Sequence, residues 1–157
     1  MTPQLFGDLE TAEGLRLEAY PDPVTGGAPW TIGYGHTGPE VHPGLTWTGS
    51  QATDALHVDV GRAVAALDAA LPWWRTLDDV RQDCLAELCF NMGVGYPAVD
   101  GRPGHGLRSF VQTLSAVRNG RYTVAAEGLL ASQWAREVGA RADRLAAMMR
   151  DGVRPAG

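Results

Sequence analysis

Apolar residues recur at helical spacing in several stretches of the chain, and these stretches predict most of its helices. A first helix is predicted from Pro3, a typical first helical residue, to about Gly14. A long second helix is predicted over 49–71, because Thr48 and Gln51 form a capping box at its start. Its predicted apolar face consists of Ala52, Ala55, Leu56, Ala63, Val64, Leu67 and Leu71.

The pattern changes over residues 15–47, where short apolar stretches alternate with glycine and proline. The segment PDPVTGG predicts a turn, and the WTIGYGH that follows is typical of a strand. We therefore expect a β-hairpin or a small three-stranded sheet here. Beyond it, the pattern predicts helices over 79–92, 107–118, 122–132 and 139–150, with a Gly/Pro loop over 93–106.

These elements predict an α+β protein that is mainly α and folded as a single domain over 1–157. A small β lobe, about 15–47, and a larger helical lobe, comprising 1–14 and 72–157, are joined by the long helix over 49–71. We expect the active-site cleft between the two lobes, because such a joint leaves a groove that ligands can enter.

Composition is that of an ordinary globular protein, with 45% hydrophobic and 20% charged residues, and argues against a disordered chain. The sequence has no apolar run of 18 residues, and its N-terminus lacks the basic and apolar regions of a secretory signal. We therefore expect synthesis in the cytoplasm. Cys84 and Cys89 lie five positions apart on a predicted helix, too far for a disulfide, and are expected to be reduced and buried.

Charge is distributed unevenly along the chain, whose formal net charge is −5 and whose basic residues are all arginine. Residues 1–106 hold five arginines and 14 acidic residues, whereas residues 107–157 hold eight arginines and four acidic residues. The basic C-terminal third is either a solvated helical surface or a surface that attracts an anionic polymer. Nucleic acid is not the expected partner, because the segment lacks an Arg-rich helix and interleaved aromatic residues.

Two carboxylates near the predicted β lobe are candidates for acid–base chemistry. Glu13 ends an apolar-faced helix, where burial favours the neutral acid, and Asp22 lies in a proline-flanked turn, where it should remain ionised. Cleavage of a glycosidic bond needs such a pair, one group to protonate the leaving oxygen and one to activate water. Thr31 heads the next strand and is placed to hold that water, and Trp30 is the tryptophan that we expect to touch sugar. The alternative is that Glu13 is only a charge at the end of a helix and Asp22 only a turn-forming residue.

The strand-like run ends in His36, which we expect to be a structural hydrogen-bond partner rather than a base. His36, Glu40 and His42 lie close enough in sequence to suggest a metal site. The intervening Gly38 and Pro39 prevent a rigid helical presentation of these side chains. This argues against a metal at the cluster, and no cofactor is expected.

The run EGLRLEAYPD, residues 13–22, followed by TIGYGH, residues 31–36, resembles the signature of the phage lysozyme (endolysin) family, glycoside hydrolase family 24. CLAELCFNMGVG, residues 84–95, resembles the central core helix of that family and the turn after it. SQW, residues 132–134, and GARADR, residues 139–144, resemble its final helices. The resemblance covers about the whole chain, although the turn before TIGYGH is longer than in the best-known members, and it implies a lysozyme-like fold.

The resemblance implies three catalytic residues and two supporting ones. The Glu, Asp and Thr of the signature are catalytic in the family, which carries over to Glu13, Asp22 and Thr31. Arg141 falls where the family places an arginine against the catalytic glutamate. It and His36, the last residue of the signature, are expected to support catalysis.

The resemblance also implies contacts with substrate. Thr37 corresponds to a position on the cleft floor, Phe90 to an aromatic lining position and Thr113 to a hydroxyl that contacts the sugar. Gly128 falls where at least one well-known member has an amide side chain that hydrogen-bonds substrate. We expect Glu127 or nearby arginines to replace that contact.

The implied function is that of a muramidase, which lyses bacteria by cleaving the β-1,4 bond between N-acetylmuramic acid and N-acetylglucosamine in peptidoglycan. Attack by a water held by Asp22 and Thr31 would invert the anomeric configuration. Two other classes stay open at this point. One is a metal-dependent peptidase or amidase acting on the peptide stems of peptidoglycan, and the other is an inactive wall-binding module.

The expected partner is bacterial peptidoglycan, and the expected oligomeric state is a monomer. A protein of this kind is made in the host cytoplasm and acts on the cell wall after release to the periplasm. A separate pore-forming holin is then expected to give it access to the wall.

Overall fold

Residues 1–156 of the structure, a computed structural model, form seven α-helices, two 3-10 helices and one three-stranded sheet. The strands are β1 (Arg16–Tyr20), β2 (Thr31–Gly33) and β3 (His36–Thr37). The α-helices are α1 (Pro3–Glu13), α2 (Gly49–Ala70), α3 (Asp79–Met92), α4 (Val111–Arg118), α5 (Tyr122–Leu130), α6 (Gln133–Val138) and α7 (Ala140–Asp151), and the 3-10 helices are Pro72–Thr76 and Leu107–Ser109. The predicted class, α+β and mainly α, is confirmed.

The structure consists of two compact units, each of which makes most of its contacts within itself, and the boundary lies inside α2. The N-terminal unit is Thr2–Arg62, and the C-terminal unit comprises Met1 and the chain from Ala63 onward. The N-terminal unit contains α1, which the apolar pattern assigns to the helical lobe. One reason is that the Phe6 ring of α1 stacks on the His57 ring of α2, with 4.0 Å between ring centroids.

The sheet of the N-terminal unit is antiparallel, with the order β1-β2-β3, and confirms the three-stranded alternative. Arg16 pairs with Gly33 and Tyr20 with Thr31, with an irregularity in the register between the two pairs. An apolar cluster forms on the sheet from Ala19, Ile32 and Val41, against which the partly buried Trp30, Leu45 and Trp47 pack.

Local signals predict the end of α1 and the start of α2 correctly. α1 ends because Gly14 adopts φ +69°, a left-handed conformation that glycine accepts readily. The capping box is present, since the Thr48 backbone N–H donates to Gln51 Oε1 at 2.8 Å and the Gln51 N–H donates to Thr48 Oγ1 at 3.2 Å. On the predicted apolar face of α2, Ala55 and Val64 are only half-buried, whereas the other members are buried.

The C-terminal unit is built around α3, whose bounds match the prediction and whose residues 83–89 are all buried. Cys84 and Cys89 are buried and not disulfide-bonded, as expected. Burial raises the pKa of Cys89 to about 11 and that of Cys84 further, so both thiols stay protonated at neutral pH. Within residues 1–156, no helix has both the length and the apolar character required to cross a membrane.

The prediction for the chain after α3 is wrong in two places. The helix predicted over 107–118 is interrupted at Phe110, whose backbone (φ −81°, ψ 56°) is not helical and separates a 3-10 turn from α4. A further helix, α6, forms before α7, because the Ser132 side chain accepts a hydrogen bond from the Ala135 N–H and caps its start. With only six residues, α6 is too short for an apolar periodicity to reveal it.

The loop predicted over 93–106 contains a small hairpin, residues 96–105. Tyr96 pairs with His105, and Val99 pairs with Arg102, both in antiparallel fashion. The turn between them is formed by Asp100 (φ +49°) and Gly101 (φ +77°). Two successive residues with positive φ are typical of the tight turn that joins paired strands.

Candidate active site

The carboxylate of Glu13, at the end of α1, lies against the turn between β2 and β3. Gly35 in that turn has φ +78°, and a Cβ built on it would lie 3.0 Å from Glu13 Oε2. Glycine is therefore required at this position for two reasons, the left-handed backbone and the close approach of the carboxylate. Glu13 itself is half-buried.

Asp22 lies in the turn between β1 and β2, and its carboxylate organises that turn. Oδ1 accepts hydrogen bonds from the backbone N–H groups of Thr25 and Val24, each at 2.8 Å. The Asp22 N–H in turn donates to the Gly27 carbonyl at 2.9 Å. The hydrogen bonds from Thr25 and Val24 lower the pKa of Asp22 below its ordinary value. Asp22 is therefore ionised at neutral pH, in agreement with its expected environment.

Thr31 is the first residue of β2 and pairs with Tyr20, which lies two residues before Asp22. Thr31 and Asp22 therefore lie at the same end of the β1–β2 hairpin. Thr31 also pairs with Thr37, which is exposed on β3. Trp30 precedes Thr31 and is half-buried against the apolar cluster of the sheet. Contact of Trp30 and Thr37 with substrate stays a prediction.

His36 is buried, and a carboxylate engages each of its ring nitrogens. Nδ1 lies 2.7 Å from Asp59 Oδ2, and Nε2 lies 2.7 Å from Glu40 Oε1. Burial lowers the pKa of His36, but the hydrogen bonds and the negative charges of Glu40 and Asp59 together raise it by more, so its pKa lies above the ordinary value. Because Asp59 belongs to α2, His36 ties the β2–β3 turn, and so the support of Glu13, to that helix.

The sequence cluster of His36, Glu40 and His42 does not converge in space on one point. His36 is held between two carboxylates, whereas His42 Nδ1 lies 3.0 Å from the carbonyl oxygen of Pro43. Over residues 1–156, no group of three or more His, Cys, Asp or Glu side chains is arranged to hold a metal ion.

The substrate-contacting residues expected in the C-terminal unit lie on three helices. Thr113 on α4 is buried, and Gly128 on α5 lies against it, since a Cβ at Gly128 would come within 2.3 Å of Thr113 Oγ1. Any side chain at this position would force Thr113 to move, which explains the glycine. Phe90 on α3 is half-buried and Glu127 on α5 is exposed. Substrate contact by these four residues stays a prediction.

Arg141, on α7, is paired with a buried carboxylate that the sequence does not single out. Its Nε donates to Glu87 Oε1 at 2.9 Å, and Arg144 Nη2 donates to the same oxygen. Glu87 is fully buried on α3, and one turn earlier the buried Asp83 accepts a hydrogen bond from Arg154 at 2.7 Å. Two acidic residues at helical spacing within a core helix are the signal that would reveal this cluster. The predicted role of Arg141 beside the catalytic glutamate stays a prediction.

These ion pairs also change the interpretation of the basic C-terminal third, because half of its eight arginines are engaged in ion pairs within the C-terminal unit. Arg141 and Arg144 pair with Glu87, Arg150 with Asp151 and Arg154 with Asp83. The other four make no ion pair in the described part of the chain, and they are Arg108, Arg118, Arg121 and Arg136. These four are the arginines of this third whose charge no ion pair in the described residues offsets, and they are the candidates to attract an anionic partner.

The N-terminal unit thus gathers the signature residues around one sheet. A half-buried glutamate ends α1 against the β2–β3 turn, and an ionised aspartate lies at the end of the hairpin where Thr31 begins β2. A carboxylic acid can donate a proton to a leaving group, and an ionised carboxylate with a hydroxyl can hold and activate water. The arrangement therefore contains the groups needed for acid–base hydrolysis.

Comparison with known proteins identifies the family of the chain. The endolysin of Bacillus phage PZA is 37% identical over 87 residues, which are 55% of this chain and 33% of that protein. The endolysins of Lactococcus phage c2 and Bacillus phage B103 are 38% and 36% identical over 86 and 90 residues, which are 54% and 55% of this chain and 36% and 32% of those proteins. The chain spans about a third of the length of these curated relatives. A family model described as phage lysozyme matches residues 10–150, nearly the whole chain, and the chain therefore belongs to the phage lysozyme family.

Proposed function

We propose that this chain is a muramidase, which hydrolyses the β-1,4 bond between N-acetylmuramic acid and N-acetylglucosamine in peptidoglycan and so lyses bacterial cells. The observation that carries the proposal is the pair of carboxylates in the N-terminal unit. Glu13 is half-buried against Gly35, and the amides of its own turn lower the pKa of Asp22 below its ordinary value. Membership of the phage lysozyme family supports the same reaction.

In the proposed reaction, Glu13 protonates the glycosidic oxygen as it leaves. Asp22 accepts a proton from a water molecule that is also hydrogen-bonded to the Thr31 hydroxyl, and this water attacks the anomeric carbon from the opposite face. Asp22 must be ionised to act in this way, and the hydrogen bonds from Thr25 and Val24 favour its ionised form.

The water-mediated route predicts an inverting enzyme. An inverting pair needs about 6.5–9.5 Å between its carboxyl groups to leave room for the water, whereas a retaining pair is closer together. We therefore expect the first product to carry the inverted anomer, which NMR of the freshly released sugar can observe. A retained anomer, or a glycosyl ester trapped on Asp22, would contradict the direct attack of water.

The substitution Glu13→Gln tests the acid assignment, because glutamine keeps the shape of the side chain but cannot donate the proton. We expect it to abolish the release of reducing sugar ends from purified peptidoglycan while leaving the thermal unfolding of the protein nearly unchanged. Glu10→Gln, on the same helix, is the matched control and should keep activity. If Glu13→Gln retains more than a small fraction of the wild-type rate, Glu13 is not the acid.

Measuring reducing ends, free amino groups and binding on the same peptidoglycan separates the muramidase from the two other classes. A metal-dependent peptidase or amidase would release free amino groups instead of reducing ends, and EDTA would abolish that release. An inactive wall-binding module would bind peptidoglycan and release neither product. Reducing ends that appear with or without EDTA are the expected result.

On this proposal, bacterial peptidoglycan is the substrate, and a separate holin brings the protein from the host cytoplasm to the wall in the periplasm. Expression in a Gram-negative host should then lyse the cells only when a holin or a membrane-permeabilising agent is also supplied. Lysis by the chain alone would contradict the need for a holin.

A further inference from the structure

The turn between β1 and β2 engages one oxygen of the Asp22 carboxylate. Oδ1 accepts hydrogen bonds from the backbone N–H groups of Val24 and Thr25, each at 2.8 Å. Within residues 1–156, no backbone N–H donates to Oδ2. A carboxylate oxygen has two lone pairs, so Oδ1 is saturated and Oδ2 is the oxygen that can accept a hydrogen bond from a water molecule.

The side chain of Thr25 closes the same turn. Its hydroxyl donates to the Ala28 carbonyl at 3.1 Å and accepts a hydrogen bond from the Gly27 N–H at 3.3 Å. A hydroxyl can donate and accept at the same time, so the two bonds are compatible. Thr25 therefore holds the Asp22 carboxylate through its backbone and the returning half of the turn, residues 26–28, through its side chain.

The backbone of Asp22 depends on this returning half. Its N–H donates to the Gly27 carbonyl at 2.9 Å, and its carbonyl accepts a hydrogen bond from the Gly26 N–H at 2.8 Å. Gly26 has φ +68°, a left-handed conformation that reverses the chain and that glycine adopts without steric cost. Because the Thr25 hydroxyl holds Gly27, it also supports the bond between Gly27 and the backbone of Asp22.

Packing contributes little to this turn. Val24 is 91% exposed, and Thr25 and Ala28 are also exposed. A segment with few buried apolar contacts and solvent-exposed hydrogen bonds opens easily, so each bond within it matters for its conformation. The geometry of Asp22 should therefore depend on the Thr25 hydroxyl more strongly than the stability of the whole chain does.

The charged side chains of β1 do not determine the ionisation of Asp22. The guanidinium carbon of Arg16 lies 4.6 Å from the centroid of the Tyr20 ring, and Glu18 is exposed on the same strand. In the described part of the chain, neither Arg16 nor Glu18 contributes to the pKa of Asp22.

The ionised form of Asp22 is favoured by groups of its own turn. The Thr25 N–H lowers the pKa of Asp22 most, followed by the Val24 N–H. Burial opposes them, and the Thr25 hydroxyl adds the smallest lowering effect. Both the backbone and the side chain of Thr25 thus act on this carboxylate.

We propose that Thr25 is a positioning residue, which holds Oδ1 of Asp22 within the turn and so leaves Oδ2 to the attacking water. The inference rests on the proposed function, because a base is needed only if Asp22 activates water. Thr25 touches neither the water nor the sugar and acts through Asp22 alone. The alternative is that Thr25 only stabilises an exposed turn, and its loss would then lower the midpoint of thermal unfolding without changing the titration of Asp22.

Three substitutions of Thr25 in the full chain test the proposal. Thr25→Val and Thr25→Ala both remove the hydroxyl, the first with a side chain of similar size and the second without one, whereas Thr25→Ser keeps it. Thr76→Val is the matched control, because the exposed Thr76 hydroxyl donates at 2.8 Å to a carbonyl that is also three residues away, that of Trp73 in the C-terminal unit. Circular dichroism and thermal unfolding show that each variant is folded.

Two measurements report on Asp22. One is its pKa, from NMR titration of isotope-labelled carboxyl carbons, in which Asp22→Asn identifies the signal. The other is the pH dependence of kcat for the release of reducing ends from peptidoglycan. Because Asp22 acts in its ionised form, a higher pKa moves the acidic limb of the kcat profile to higher pH.

The net strength of one hydrogen bond corresponds to a factor of about two to about ten in an equilibrium constant. We therefore expect Thr25→Val and Thr25→Ala to raise the pKa of Asp22 and to move the acidic limb by up to about 1 pH unit. At neutral pH, kcat should fall about twofold to tenfold in both variants. Thr25→Ser and Thr76→Val should titrate and react as the wild type does.

Two results would overturn the proposal. One is an unchanged pKa of Asp22 and an unchanged acidic limb in Thr25→Val and Thr25→Ala, even where both variants unfold at a lower temperature. The other is a Thr25→Ser variant as impaired as Thr25→Ala, because the hydroxyl would then not be the group that matters.

The NMR titration does not depend on hydrolysis, so it separates this proposal from the proposed function. Wild-type chain that releases reducing ends, with Thr25 variants that titrate and react like it, would refute the positioning role and leave the proposed function intact. A raised pKa of Asp22 in the variants, with no release of reducing ends by the wild type, would uphold the hold of Thr25 on Asp22 and refute the proposed function.

Discussion

Gly35→Ala perturbs the support of Glu13 without changing any residue assigned to catalysis. Gly35 has φ +78°, and a Cβ placed there would lie 3.0 Å from Glu13 Oε2. Such a contact is tighter than nine in ten real Cβ contacts, so the carboxylate must move by a few tenths of an ångström. The substitution therefore has two effects, a strained backbone and a displaced carboxylate.

The magnitude of each effect follows from the structure. A left-handed backbone costs a residue with a Cβ about 1–2 kcal/mol. For a protein of this size, that loss lowers the midpoint of thermal unfolding by about 2–8 °C. A misplacement of about 1 Å can cost a hundredfold in rate, so a shift of a few tenths of an ångström at the proposed acid should reduce kcat about tenfold.

Gly44→Ala is the matched control, because Gly44 lies in the same unit and has φ +82°, but a Cβ there would have no atom within 4 Å. The assay combines thermal unfolding with initial rates of reducing-end release, measured well below both unfolding midpoints. We expect similar losses of stability in the two variants and a loss of kcat in Gly35→Ala alone. Equal rates in the two variants would show that the contact between Gly35 and Glu13 does not matter for catalysis.

Three further predictions concern charged groups. Because the pKa of His36 is raised in the folded state, its ion pairs contribute stability that is fully present below the ordinary histidine pKa of about 6.5 and is lost as pH rises through the raised value. The difference in unfolding free energy between wild type and His36→Gln should therefore shrink towards alkaline pH in urea titrations, and a constant difference would contradict the shift. Glu87→Ala breaks a buried ion-pair cluster and should lower the unfolding free energy by about 3–5 kcal/mol. Glu127→Ala removes an exposed carboxylate and should change the unfolding free energy by less than about 0.5 kcal/mol. Similar losses in the two variants would refute the importance of burial. If the unpaired arginines attract the anionic wall, the rate of lysis should fall with rising salt. The fall should be less steep in the double variant Arg118→Gln/Arg121→Gln. A rate of lysis that does not depend on salt would show that these arginines do not have that role.

Signals between neighbouring residues were enough to predict much of the N-terminal unit. The end of α1 at Glu13 depends on Gly14, and the start of α2 depends on the capping box of Thr48 and Gln51. The turn of Asp22 is closed by amides two and three residues later in the chain. Interactions of such short range are encoded in a few consecutive residues, so the sequence alone determines them.

The partners of the buried charged groups were decided only by the tertiary structure. His36 meets an aspartate 23 positions away, and Arg141 meets Glu87 across 54 positions. No local pattern specifies such pairs, because they depend on which helix packs against which and at what register. Glu87 shows the consequence, since an acidic residue reads as a surface position in a sequence, yet here it is fully buried because two arginines of α7 reach it. A cavity beside Trp134 in the C-terminal unit has the same origin, since residues from α3, the 96–105 hairpin and α6 line it only once these elements have packed together.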